Sequence, residues 1–346
     1  MVFTLNQTRL RPTRNDVARL AGVSNATVSN VLNRSKAVPI SSQTREKVLK
    51  AAQEIGYLRN RVAASLIQQK THTIGVVISS IQGSFHSAVL EGIEKKMASH
   101  DYQVMLVFSD DESSFAQQTK VLLERCIDGL ILTGNCASEY IRRWAEMALR
   151  ERMPVALVDQ RLADQSVDSV ISDDCRGAMM ATDHLLKLGH RRIGHVFGNL
   201  SVFTAQNRKR GYCDALRNAG IELDERLLVG GSWDIDKVYH EVERLIDSPL
   251  RPTAFFAAND RLAAAVLRAM MKRGLRVPGD IAVVGYGDTE TSQDMALSTV
   301  SQDAEKMGWT VAERMQSRLL NPDLDVREIL LPTQLVIRET CGPAAT

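Results

Sequence analysis

From Thr73 onward the chain repeats one pattern, a short run rich in Val and Ile followed by a longer stretch with helical periodicity. The runs are Ile74–Ile78, Val104–Phe108, Gly129–Leu132, Val155–Val158, Arg192–Phe197, Ala254–Ala257 and Ile281–Val284. A strand that is apolar on both faces must be covered on both, and intervening helices do this for parallel strands. The pattern predicts α/β architecture with two doubly wound parallel-sheet lobes. The tail from Glu328 to Arg338 reads as one late strand, so the chain is expected to cross between lobes more than once. Two such lobes form a cleft at the carboxyl ends of their strands, where small ligands bind.

The first sixty residues differ in texture. Thr13 followed by Asp16 reads as a helix N-cap with an acceptor three residues on. Val17, Leu20 and Ala21 give that helix an apolar face, and Gly22 stops it. Ser24 caps a second helix running from Asn25 to Leu32, with Val28, Val31 and Leu32 on one side. Pro39 interrupts the chain, and Ser42 starts a third helix that ends at Gly56. Two short helices joined by a tight turn, with a third to bury them, make an all-α helix-turn-helix domain. Charge supports this division. Residues 1–70 carry twelve Lys or Arg against three acids, a net +9, whereas the whole chain is only +2. A basic head on an acidic body points to a polyanion partner for the head.

Other classes fit poorly. The polar, basic start from Met1 to Arg11 has no apolar core for secretion, and no run is long enough to cross a bilayer. A cytoplasmic protein with no membrane partner is expected. Five cysteines without a C-x-x-C pair read as reduced thiols rather than a zinc site. Gly285-Tyr286-Gly287 imitates the start of a dinucleotide fingerprint, but Glu290 stands where its third glycine belongs. The acids Asp288, Glu290 and Asp294 have no histidine at ligand spacing. Without a P-loop or a nucleophile elbow, no enzyme, catalytic residue, metal or cofactor is expected.

The run from Thr13 to Asn33 (TRNDVARLAGVSNATVSNVLN) resembles the N-terminal signature of the lactose/galactose repressor family. Thr44–Leu49, Gly56-Tyr57, Asn60, the Leu-Gly-His-Arg-Arg-Ile motif ending at Ile193, and Val277–Ile281 extend the resemblance over nearly the whole chain. It implies a transcriptional repressor with a periplasmic-binding-protein-like sensor domain. The partners implied are a pseudo-palindromic operator DNA, a small-molecule effector and a second copy in a homodimer. The alternative is a periplasmic-type sugar-binding protein without DNA function, against which the basic head argues. The expected division is 1–58 for DNA binding, 59–72 for a hinge, and 73–346 for ligand binding and dimerisation. Within the last, lobe 1 is expected at 73–172 plus 301–327 and lobe 2 at 173–300 plus 328–340.

In such a reader the start of the second helix meets base edges in the major groove, here Asn25, Ala26 and, a turn later, Asn30. Thr27, Ser29 and Asn33 suit phosphates, with Arg14, Arg34 and Arg45 adding charge. The resemblance adds Thr13, Ser24, Tyr57 and Asn60. It also implies a hinge helix in which Ala63 permits close approach and Leu66 wedges into the minor groove. Asn30 departs from the family, which usually has an arginine there. An arginine reads guanine, whereas an asparagine favours adenine.

For the sensor domain the resemblance implies ligand contacts at Phe85, Asp159, Arg208, Trp233, Asn259, Asp260 and Gln302. Asp159 also follows a strand directly, which places it at the ligand end. A second departure falls at Gly287, where the family commonly has an aspartate that accepts from ligand hydroxyls. Losing that carboxylate, with Arg208 nearby, favours a sugar acid such as gluconate or a sugar phosphate beside a plain sugar.

Overall fold

The computed structural model describes residues 12–32, 39–58, 70–78, 83–109, 112–134, 138–232 and 234–342. It divides into a unit of residues 1–71 and a unit of residues 72–346.

In the first unit, α1 (Arg14–Ala21), α2 (Asn25–Leu32) and α3 (Ser42–Glu54) pack around Val17, Val28, Val31, Val48, Ala51 and Ala52. The Thr13–Asp16 pair forms a full capping box, which satisfies two amides at the start of α1. Gly22 ends that helix in the left-handed region at φ 66°, where a side chain would be strained. The Ser24 hydroxyl accepts the Thr27 amide at 3.1 Å and starts α2.

The second unit contains two six-stranded sheets. The first holds β1 (Thr73–Ile78), β2 (Gln103–Phe108), β3 (Gly129–Thr133), β4 (Val155–Val158), β5 (Asp168–Ser172) and β11 (Glu328–Leu331), in the order β11-β5-β4-β3-β1-β2. Its helices are α4 (Ser84–Ala98), α5 (Glu112–Glu124), α6 (Ser138–Arg150) and α12 (Ala304–Leu320). The second sheet holds β6 (Ile193–Phe197), β7 (Leu228–Gly230), β8 (Ala254–Ala257), β9 (Ala282–Gly287), β10 (Ser298–Ser301) and β12 (Gln334–Val336), in the order β12-β10-β9-β8-β6-β7. Its helices are α7 (Asp174–Lys187), α8 (Phe203–Asn218), α9 (Ile235–Ile246), α10 (Asp260–Lys272) and the short α11 (Glu290–Asp294). All strand pairs are parallel except β10 with β12. The order reverses beside β1 and beside β6, which puts a switch point at the carboxyl edge of each lobe.

The tail corrects one expectation. Residues 328–338 form two strands, not one, and the first of them, β11, pairs with β5 of lobe 1. The range 328–340 is therefore not wholly part of lobe 2. One strand that lacked an apolar run, β5, is also explained. Asp168, Ser169 and Ser172 make β5 look polar, yet all three are buried. Asp168 is held there by Arg314 and Arg318 at 2.9 and 2.6 Å.

Each lobe contains a helix crossing with backbone against backbone. A Cβ on Gly308 of α12 would lie 1.9 Å from the Val89 carbonyl oxygen of α4. One on Gly211 of α8 would lie 2.1 Å from the Cys175 carbonyl oxygen of α7.

Candidate functional site

Most of the residues expected to meet base edges lie on α2. Asn25 and Ala26 are exposed, and Thr27, Ser29 and Asn30 are partly so, while Val28 and Val31 turn inward. Several of the expected contacts also have structural partners. Thr13 is engaged in the capping box, and Thr27 shares the Ser24 cap at 2.9 Å. Asn25 donates through its side-chain amide nitrogen to Asn15 of α1 at 2.5 Å. Tyr57 packs partly against the three-helix core. The side chains of Arg14, Asn30 and Arg45 have no hydrogen bond or ion pair among the described residues. The expected contacts Asn33, Arg34, Asn60, Ala63 and Leu66 lie outside the described residues.

A cleft lies between the two lobes, at the carboxyl ends of both sheets. Phe85, Asp159, Arg208, Asn259, Asp260 and Gln302 all line it, though they come from five separate places in the sequence. Trp233 lies outside the described residues. Phe85 enters from the first turn of α4 and meets the His86 ring edge-on at 5.4 Å. Asp159 follows β4 at φ 58°, a left-handed conformation for a buried carboxyl. Such strain clusters at functional sites. Arg208 donates through Nε to Asp174 and through Nη1 to the Ala258 carbonyl, both at 2.7 Å. Its guanidinium lies 4.0 Å from the centre of the Tyr286 ring.

The strand-end pair Asn259-Asp260 divides its roles. Asn259 caps α10 by accepting the Leu262 amide at 2.8 Å. Asp260 accepts from the Thr299 hydroxyl at 2.6 Å, and from the Thr289 amide and hydroxyl at 2.9 and 2.8 Å. It thus ties the loop after β9 to β10. Gln302 donates to Ser172 at 2.8 Å, joining two of the segments that pass between lobes. Gly287 sits at φ 134°, and a Cβ there would come within 3.2 Å of Asp260 Oδ2. A side chain is therefore disfavoured at this point, whatever its charge. The neighbouring Asp288 does not replace the missing acid, because Arg338 holds it at 2.6 Å.

Burial reshapes the acid–base character of the floor. Desolvation, and then the charge of Asp174, push the Asp159 carboxyl far above the usual range, with Arg208 opposing. Burial lowers the His86 imidazole to about 4, so it is neutral near pH 7. Sequence reasoning passed over His86, Asp174, Tyr286, Thr204 and Thr289. Tyr286 was met only inside the Gly285-Tyr286-Gly287 run, the other four stand in no spacing motif, and only the folded lobes bring them together.

A three-helix DNA-reading unit together with a two-lobed cleft defines a ligand-responsive DNA-binding regulator. The model for the lacI family of bacterial regulatory proteins matches residues 13–60, and that for a periplasmic binding protein-like domain matches residues 182–341. The ribose operon repressor of Haemophilus influenzae is 32% identical over 95% of this chain and 98% of its own. A lac repressor dimer bound to operator and the anti-inducer ONPF aligns with TM-score 0.82 and 29% identity, over 96% of this chain and 99% of that one. The regulator CelR in complex with cellobiose aligns at 0.73 and 30% identity, over 96% of this chain and 100% of that one. The chain belongs to the lacI family and is a DNA-binding transcriptional regulator. Among the described residues no helix is long and apolar enough to cross a membrane.

Proposed function

We propose that this regulator acts as a homodimeric repressor that binds a pseudo-palindromic operator through α2 and responds to a small hydroxylated metabolite in the cleft. The observation that carries this is the gathering of six polar and aromatic side chains around one cleft, in a chain whose other unit has a second helix with Asn25 and Ala26 exposed and Asn30 partly so. Asn25 and Asn30 contact bases, and Arg14 and Arg45 contact phosphates. Leu66 opens a base step at the operator centre. The operator half-site then carries adenine where relatives with arginine prefer guanine. Selection of binding sites by the wild type and by Asn30→Arg tests this; an unchanged base preference refutes it.

The related lac repressor was captured as a dimer on its operator, and CelR with a disaccharide. Both support a ligand that shifts the balance between two lobe arrangements and thereby changes operator affinity. Operator titrations with and without metabolites reveal the sign, induction or corepression. Removing residues 1–71 abolishes operator binding and leaves ligand binding intact. A truncated protein that still binds operator would contradict the proposal.

A further inference from the structure

Lobe 1 carries a second hollow, at the amino ends of β4 and β5, the opposite edge of the sheet from the cleft. Its walls are apolar. Leu149 and Met153 come from the end of α6 and the turn after it, Val155 and Val167 from the sheet edge, and Val326 from the loop between α12 and β11. Leu149 and Val326 remain 48% and 43% exposed, so two of these walls leave apolar surface in water.

The polar floor is charged out of balance. Asp168 is 1% exposed and accepts from Arg314 Nε at 2.9 Å, Arg318 Nε at 2.6 Å and the Arg327 amide at 2.8 Å. Two guanidiniums thus share one carboxylate, which leaves a positive charge unmatched. Their other acceptors, the Asp325 and Pro322 carbonyls, are uncharged. Arg318 lines the hollow and uses three of its five N–H groups on these partners; the other two have none among the described residues. At the rim, the Arg152 side chain is exposed, with no hydrogen bond or ion pair among the described residues. Among the described residues Asp168 is the one acid on the lining. The nearby Glu151, Asp323 and Asp325 are exposed, where water and salt screen them.

A cation held at low exposure beside apolar walls favours a carboxylate on an apolar body, which pairs charge at one end and covers wet carbon at the other. A polyol has no apolar body for the walls and no charge for the arginine. We propose that this hollow is a second ligand site, which takes a small apolar monocarboxylic acid with its carboxylate on Arg318 and Arg152 and its chain or ring on Leu149, Met153 and Val326. Every lining residue belongs to lobe 1, so the site forms without the cleft and without closure of the lobes.

Calorimetric titration of the full-length protein tests this, with hexanoate and benzoate beside hexan-1-ol, benzamide and acetate. The two larger acids are expected to bind. The uncharged analogues, and acetate with its lack of an apolar body, are expected to bind at least ~10-fold more weakly. Val326→Asp sets a like charge on an exposed wall without removing a hydrogen bond to Asp168, and is expected to weaken both acids at least ~10-fold. Leu149→Asp repeats that test from another wall should the first variant fold poorly. Arg152→Ala is expected to weaken the acids about 2–5-fold. Acids that fail to bind the wild type overturn the proposal. So do acids that bind the variants as tightly as the wild type, which places them elsewhere, and uncharged analogues that bind as well as the acids. Each of these failures leaves the effector reading of the cleft standing.

Discussion

The two polar surfaces of this protein are built in opposite ways. On the face proposed to read DNA, the side chains of Arg14, Asn30 and Arg45 have no partner among the described residues. In the cleft, Arg208, Asn259, Asp260 and Gln302 are each already bonded to other protein groups. The difference follows from the partners. Duplex DNA is a long polyanion that supplies many contacts, so the reader can keep its side chains solvated until binding. A small ligand supplies few contacts, and its site must be organised in advance.

The comparison breaks most visibly if Arg208→Met is well tolerated. Removing the guanidinium leaves Asp174 buried without its cation, a loss of roughly 3–5 kcal/mol. Chemical denaturation should show it in the second unit, with Arg14→Ala close to wild type.

A pH series comes next. His195 is fully buried, stacked on Tyr212 and Phe256, and burial lowers its imidazole to about 4. The unfolded chain takes up that proton near 6.5, so the stabilisation is complete above that pH and is lost as pH falls toward 4, on the order of 2–3 kcal/mol. The stability gap between wild type and His195→Gln should narrow over this window. Residues 1–71 contain no histidine, so that unit has no matching response.

Asn30→Ala sharpens the contrast from the other side. Operator affinity should fall by about 1–3 kcal/mol, most at one base position, with thermal stability within about 0.5 kcal/mol of wild type. The smallest effect belongs to Thr13→Ala. It removes the α1 cap and should cost the first unit ~1 kcal/mol, read as an earlier unfolding of that unit alone.

The sequence made some of this legible and hid the rest for identifiable reasons. The caps at Thr13, Gly22 and Ser24 are local chemistry, so the three-helix unit could be read directly. The apolar strands β1, β3, β4, β8 and β9 announced themselves by composition. β5 did not, because its buried Asp168 depends on arginines some 150 residues away. The division of 328–338 was hidden because both halves are short and alternate in exposure. In the cleft, strand ends pointed to Asp159 and Asn259, while Asp174 gave no signal. Its meaning comes from Arg208, which sits on a different helix.

The glycine crossings carry a mechanical consequence. With Gly308 pressed on the Val89 carbonyl and Gly211 on that of Cys175, helices in each lobe cannot slide without collision. Each lobe therefore behaves as a single casting. Among the described residues the compliance of the body is left to three short straps, at residues 173, 302–303 and 332–333, that run between the lobes. Asp303, in the second strap, adopts φ 50°. A body of this kind has few ways to bend, so substitutions that tune the response without touching ligand or DNA should concentrate in those straps.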